Sequence, residues 1–118
     1  MIDVELVPLV AERFRALGDT GRLSLLAALQ RGEMTVSELT KATGRTQPNV
    51  SQHLASLSHA GLVQARRQGT RAFYRIADPT ILRICEAVCD GLAARIGAPR
   101  AKAPTSRSRG RRRTGGEK

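Results

Sequence analysis

Two cysteines, Cys85 and Cys89, are all the 118 residues contain. That is too sparse for the disulfide framework of a small secreted domain, so both are expected as thiols in a reducing compartment. No stretch approaches the ~18 consecutive apolar residues of a membrane span. The richest run, LSLLAAL from Leu23 to Leu29, falls far short of that, and the opening MIDVEL is acidic, unlike a secretory leader. These absences lead to the expectation of a cytoplasmic, nucleoid-associated protein with no membrane partner. Also missing are a Ser/His/Asp set, paired carboxylates in a cleft pattern, a glycine-rich phosphate loop and a complete metal cluster, which argues against an enzyme.

Acid is scarce as well. Ten Asp and Glu face twenty Lys and Arg, a net charge of +10. Between Ala98 and Lys118 eight basic residues meet one acid, so seven of the ten net charges lie there. Excess cation on a small protein favours a polyanionic partner such as nucleic acid. The length suits one domain. Residues 1–97 carry the apolar periodicity. Residues 98–118 are Pro, Gly, Ser and Arg with nothing to bury, the composition of a disordered tail.

Pro8 suits the first turn of a helix that runs to Gly18 with Leu9, Val10, Phe14 and Leu17 at helical spacing. A second helix follows Thr20. Its Leu23, Leu25, Leu26, Ala27 and Leu29 wrap so much of it that burial on more than one side is expected, and Gly32 stops it. Thr35 and Glu38 form a capping box for a third helix, with Val36, Leu39 and Ala42 inward and Gly44 at its end. Thr46 or Gln47 caps a fourth, in which Pro48 occupies the first turn and Val50, Leu54 and Leu57 form the buried stripe. From Val63 the period changes to two, with a turn at Gly69-Thr70 and resumption through Tyr74 and Ile76, which predicts a β-hairpin. Asp78 and Pro79 then start a last helix with Cys85 and Cys89 on a wide apolar stripe, Asp78 being the expected N-cap.

Two helices joined by a short glycine-containing turn and followed by a hairpin with a basic tip describe a winged helix-turn-helix, here mostly α (α+β) with about five helices. The second helix of the pair has an outer face of amide and hydroxyl side chains with almost no charge, which suits base edges better than solvent. Thr46, Gln47, Pro48, Asn49, Ser51, Gln52, His53 and Ser56 are therefore candidate contacts to double-stranded DNA. Arg66, Arg67, Gly69, Thr70 and Arg71 at the wing tip are candidates for the phosphates.

Arg13 to Ile76 resembles the ArsR/SmtB family of bacterial winged-helix repressors through ALGDTGRL, QPNVSQHLASLSHAGLV and RRQGTRAFYRI. The resemblance implies a repressor that leaves its pseudo-palindromic operator when an inducer binds. It also implies a homodimer paired through the first and last helices, which agrees with apolar stripes on both that exceed what a monomer can cover. A competing reading is an architectural DNA-coating protein that relies on the basic tail. Arsenic-type members carry thiols where Thr35 and Ser37 stand. Of the four zinc-type ligand positions Asp78 alone matches, with Thr80, Gly91 and Ala94 at the others. His53 and His59 lie far in sequence from either cysteine. Sensing then falls to Cys85 and Cys89, on one helix face roughly 6 Å apart. Three roles are open to them: inert packing, thiol redox or persulfide chemistry, or holding Zn or Cu(I) with two more ligands from a partner.

Overall fold

A computed structural model describes residues 1–97; the expected disordered tail, 98–118, lies outside the described residues. The elements follow in the order α1 (Val7–Leu17), α2 (Thr20–Leu29), α3 (Val36–Thr43), α4 (Gln47–His59), β1 (Val63–Gln68), β2 (Arg71–Ile76) and α5 (Thr80–Ile96), with a short 3-10 turn at Val4–Leu6 before α1. Internal packing divides the chain after Asp78: Met1–Asp78 form one unit and α5 belongs to a second that begins at Pro79.

In the first unit α2, α3 and α4 pack on one another, and β1 joins α4 while β2 joins α2 and α3. Its core is aliphatic. Leu25, Leu39, Val50, Leu54, Leu57 and Leu62 are all essentially inaccessible to solvent, and each such side chain contributes about 1.5–3 kcal/mol by leaving water. Leu25, Leu26 and Leu29 of α2 are buried, but Leu23 and Ala27 are exposed. The expected burial of α2 on more than one side is thus corrected. Leu23 and Ala27 are one helical turn apart and share a face turned from the core. Ala42 is likewise exposed rather than inward, because α3 ends one residue later.

The helix ends follow local chemistry. Thr35 accepts from the Glu38 N–H at 3.2 Å while Glu38 Oε1 accepts from the Thr35 N–H at 2.8 Å, the expected capping box. Thr46 caps α4 by accepting from the Asn49 N–H. Past its end Gly61, at φ 79°, lets the Leu62 N–H donate to Leu57 O and the Gly61 N–H to Ser58 O, a Schellman closure. The N-cap position of α5 does not fall on Asp78. Pro79 takes the N-cap position with no side-chain bond, which leaves Asp78 one residue too early, and its carboxylate lies 3.5 Å from Arg13 Nη1. The same Arg13 nitrogen donates to Ala60 O at 3.1 Å, tying α1 to the end of α4.

The hairpin pairs Val63 with Ile76 through Gln68 with Arg71 and turns through Gly69 and Thr70. Gly69, at φ 63°, takes the positive-φ first position that a two-residue hairpin turn assigns to glycine. A third segment joins the sheet: Met34 and Tyr74 exchange backbone hydrogen bonds of 3.0 and 2.8 Å. The loop between α2 and α3 thereby holds the wing.

In the second unit α5 carries Val88, Leu92 and Ile96 at 53%, 55% and 73% exposure. Cys85 is half-buried and Cys89 exposed, both as thiols. Of α1, Leu9 and Phe14 are 61% and 52% exposed. Among the described residues no helix is long and apolar enough to cross a membrane.

Candidate nucleic-acid interface

The turn between α3 and α4 is Gly44-Arg45-Thr46. Gly44, at φ 72°, ends α3 in the left-handed region and its N–H donates to Thr40 O, which reverses the chain so that α4 starts at once. On α4 the residues Gln47, Pro48, Ser51, Gln52, Ala55 and Ser56 are exposed, opposite the buried Val50, Leu54 and Leu57. No ionisable side chain stands among those six. Gln52 makes no side-chain hydrogen bond among the described residues, so both ends of its amide face outward for a base edge.

Two candidate contacts are placed differently. The His53 side chain is 17% exposed and faces α2, its Nε2 3.6 Å from Asp19 Oδ2. Asn49 is half-buried, and its Oδ1 accepts from Arg45 Nη1 at 3.1 Å. His53 and Arg45 both rest on the start of α2. Asp19 caps that helix by accepting from the Arg22 N–H at 2.9 Å. That hydrogen bond, with the charges of Arg22 and His53, holds the carboxyl below its ordinary range against the opposing effect of desolvation. Gly21 lies beneath His53 and Arg45, where a Cβ would come within 2.5 Å of His53 Nε2 and 2.9 Å of Arg45 Nη1. The absence of a side chain at Gly21 is what leaves room there for the tips of His53 and Arg45. Arg22 also donates to the carbonyls of Ala16 and Arg15 at the end of α1. The ALGDTGRL segment thus builds the shelf that supports the start of α4.

Strand alternation sorts the wing arginines. Arg66 opposes Phe73 and Gln68 opposes Arg71 on one face, whereas Arg67 opposes Ala72 on the other. Arg66 is engaged by the protein itself. Its Nε and Nη2 donate to Glu33 at 2.9–3.1 Å, its Nη1 donates to Gln68 Oε1 at 2.7 Å, and its guanidinium lies 4.7 Å from the Phe73 ring centre. The Arg66 hydrogen bonds hold the Glu33 carboxyl below its usual range, and Glu33 raises Arg66 in return. Arg71 stacks on Phe73 at 5.1 Å and forms no ion pair among the described residues. Arg75 donates to Gln64 Oε1 at 2.8 Å. Gly69, Thr70, Arg67 and Arg71 form an exposed tip. A guanidinium on an aromatic face keeps its N–H edge outward for an oxyanion.

Cys85 and Cys89 lie one turn apart on α5. Burial, and then the neighbouring Cys89, push the Cys85 thiol up. No group of three His, Cys, Asp or Glu that could hold a metal occurs among the described residues. Glu33, Arg45, Asp19 and Gly21 were not among the expected site residues. A glycine in the first turn of a helix and an arginine four residues before an asparagine were the available signals.

The sequence profile of bacterial regulatory proteins of the arsR family matches residues 19–65. The HTH-type transcriptional regulator KmtR of Mycobacterium tuberculosis is 43% identical over 95 residues, which cover 80% of this chain and 73% of that protein. The chain belongs to the ArsR/SmtB family. The arsenic resistance transcriptional regulator ArsR1 of Pseudomonas putida is 38% identical over 81 residues, 67% of this chain and 62% of that one. A homodimeric winged helix-turn-helix DNA-binding domain from Mycobacterium bovis superposes with a TM-score of 0.71 at 33% identity, covering 85% of this chain and 93% of that one. In ArsR/SmtB terms α3 and α4 are the helix-turn-helix and β1–β2 the wing of a DNA-binding transcriptional regulator. Its relatives are regulators and not enzymes.

Proposed function

We propose that the chain is an operator-specific repressor that acts as a homodimer, with α4 in the DNA major groove, and that its grip is released by thiol chemistry at Cys85 and Cys89. The observation that carries the DNA reading is the solvent face of α4, which holds no Lys, Arg, Asp or Glu and has Gln52 at its centre. Charge is supplied from the wing tip by Arg67 and Arg71, so base reading and phosphate contact are divided between two elements.

Dimerisation is supported by the exposed Leu9 and Phe14 of α1 and the exposed Val88, Leu92 and Ile96 of α5, and by the homodimeric relative. Cys85 and Cys89 supply two of the four ligands that Zn or Cu(I) would take, so a metal would need the other two from a second copy. At neutral pH the raised Cys85 is a thiol, and metal binding there must release its proton.

Selection from a pool of randomised duplexes tests the DNA reading. A pseudo-palindrome with half-sites one helical turn apart is expected, and Gln52→Ala should lose ~1–3 kcal/mol at that site and relax one base position. Recovery of no consensus, with uniform coverage of long DNA, would favour the architectural reading.

A further inference from the structure

Asn49 stands in the first turn of α4, where a recognition helix meets base edges, yet its amide is not free to turn. Arg45 carries only N–H donors, so the 3.1 Å contact fixes which end of the amide faces it: Oδ1 lies toward Arg45 and Nδ2 lies away. Arg45 is itself held inward. It is half-buried, its guanidinium reaches to the open space left by Gly21, and its backbone N–H donates to Thr43 Oγ1 at 3.4 Å. The acceptor of Asn49 is therefore taken by Arg45, and its two donor hydrogens are what the amide has left to offer a base.

The geometry points to Arg45 as a residue that sets base specificity by positioning Asn49 as a donor. Adenine is read by asparagine through an amide laid edge-on, Oδ1 accepting from N6 while Nδ2 donates to N7. Turning Oδ1 outward for that purpose would break the bond to Arg45. The remaining Nδ2 donor instead suits a base that shows acceptors alone, and guanine, with N7 and O6 side by side, offers two. Asn49 thus reads guanine while Arg45 is in place, and Gln52, whose amide carries no such partner, keeps the edge-on pairing for adenine. This inference rests on α4 being the recognition helix.

The test uses full-length protein on the duplex selected from the randomised pool and on its single-base variants. Wild type, Asn49→Ala, Arg45→Ala and the double variant are compared. Asn49→Ala should lose preference for guanine at one position per half-site, by about 5- to 100-fold. Arg45→Ala should move the preference at that same position toward adenine and leave the other positions alone. The double variant should match Asn49→Ala, because Arg45 acts through Asn49. Arg45→Met, which keeps the aliphatic stem without donors, should behave as Arg45→Ala and guards against a merely unfolded protein.

If Arg45→Ala and Arg45→Met keep the wild-type preference, the inference is overturned. It is also overturned if they weaken every duplex equally and lower the log–log salt slope by about 0.9, the mark of a lost phosphate contact. Failure of wild type to select any consensus would instead overturn the function on which the inference rests.

Discussion

Gly21 shows how much one absent methyl group can decide. A Cβ there would meet His53 Nε2 at 2.5 Å, His53 Cδ2 at 2.7 Å and Arg45 Nη1 at 2.9 Å, all closer than packed atoms approach. Alanine would return about 1 kcal/mol of helix propensity, but crowding a packed contact costs about 1–3 kcal/mol. Gly21→Ala should therefore be destabilising by about 1 kcal/mol, read as a lower urea midpoint at unchanged slope. It should also blur base preference at the Asn49 position, since Arg45 is pushed off its seat. A raised midpoint would mean that the tips of His53 and Arg45 move aside freely and that the shelf is not a constraint. Residues of this kind are hard to read in a sequence. Periodicity shows that α2 is a helix, but it also expects burial of Leu23, which faces solvent. What crosses it is a tertiary fact, and nothing local to Gly21 names His53, 32 positions on.

The wing is held by an element that no strand pattern announces. Met34 pairs with Tyr74, and the preceding Glu33 grips Arg66, so the α2–α3 loop fixes the hairpin from the side. The Glu33 carboxyl is depressed in the fold, first by the Arg66 hydrogen bonds and then by the charges of Arg66 and Arg75. Its contribution is consequently full above the ordinary carboxylate range and disappears as pH falls through the depressed value. Glu33→Gln should lower hydrogen-exchange protection of the Met34 and Tyr74 amides at pH 7 and leave little difference once the wild-type carboxyl is protonated. The effect should be small, because the two side chains are 31% and 49% exposed and salt screens such a pair. Equal protection at pH 7 would show that the backbone bridge alone holds the wing. The elements themselves are legible: five helices, the hairpin, the capping box at Thr35 and a cap at Thr46 or Gln47, which falls on Thr46, follow from composition and spacing. Their ends and faces are less so. Asp78 loses the α5 cap to Pro79, Leu23 and Ala42 face solvent, and Arg66, expected at the phosphates, is engaged by Glu33. The cap shifts by one residue to a neighbour and the two faces follow from where each helix turns or ends, whereas the Arg66 outcome depends on Glu33, 33 residues away, which a local pattern does not contain.

At the scale of the whole molecule, a repressor needs its two reading heads at one spacing on DNA and at another when released. An inducer can impose that change only by interacting differently with the two arrangements. Cys85 and Cys89 are suitably placed for this: they lie one turn apart on α5, half-buried and exposed respectively, on a helix whose Val88 and Leu92 are left exposed. Oxidation of the thiols, or Zn or Cu(I) held between two copies, would bias how those helices meet. Coupling of this sort is typically ~1–3 kcal/mol, a 5- to 150-fold change in affinity. Wild type and a Cys85→Ala/Cys89→Ala variant should therefore be compared on the selected operator when reduced, after peroxide or persulfide, and after Zn or Cu(I). Wild type should lose affinity under one of these treatments and the variant should not. Alanine is preferred to serine, whose hydroxyl would place a polar group where Cys85 is half-buried. The responding treatment separates the chemistries, and for a metal the response should weaken as pH falls, because the raised Cys85 thiol must first give up its proton. Should both proteins respond alike, or neither respond, the two cysteines are packing residues and release is governed elsewhere.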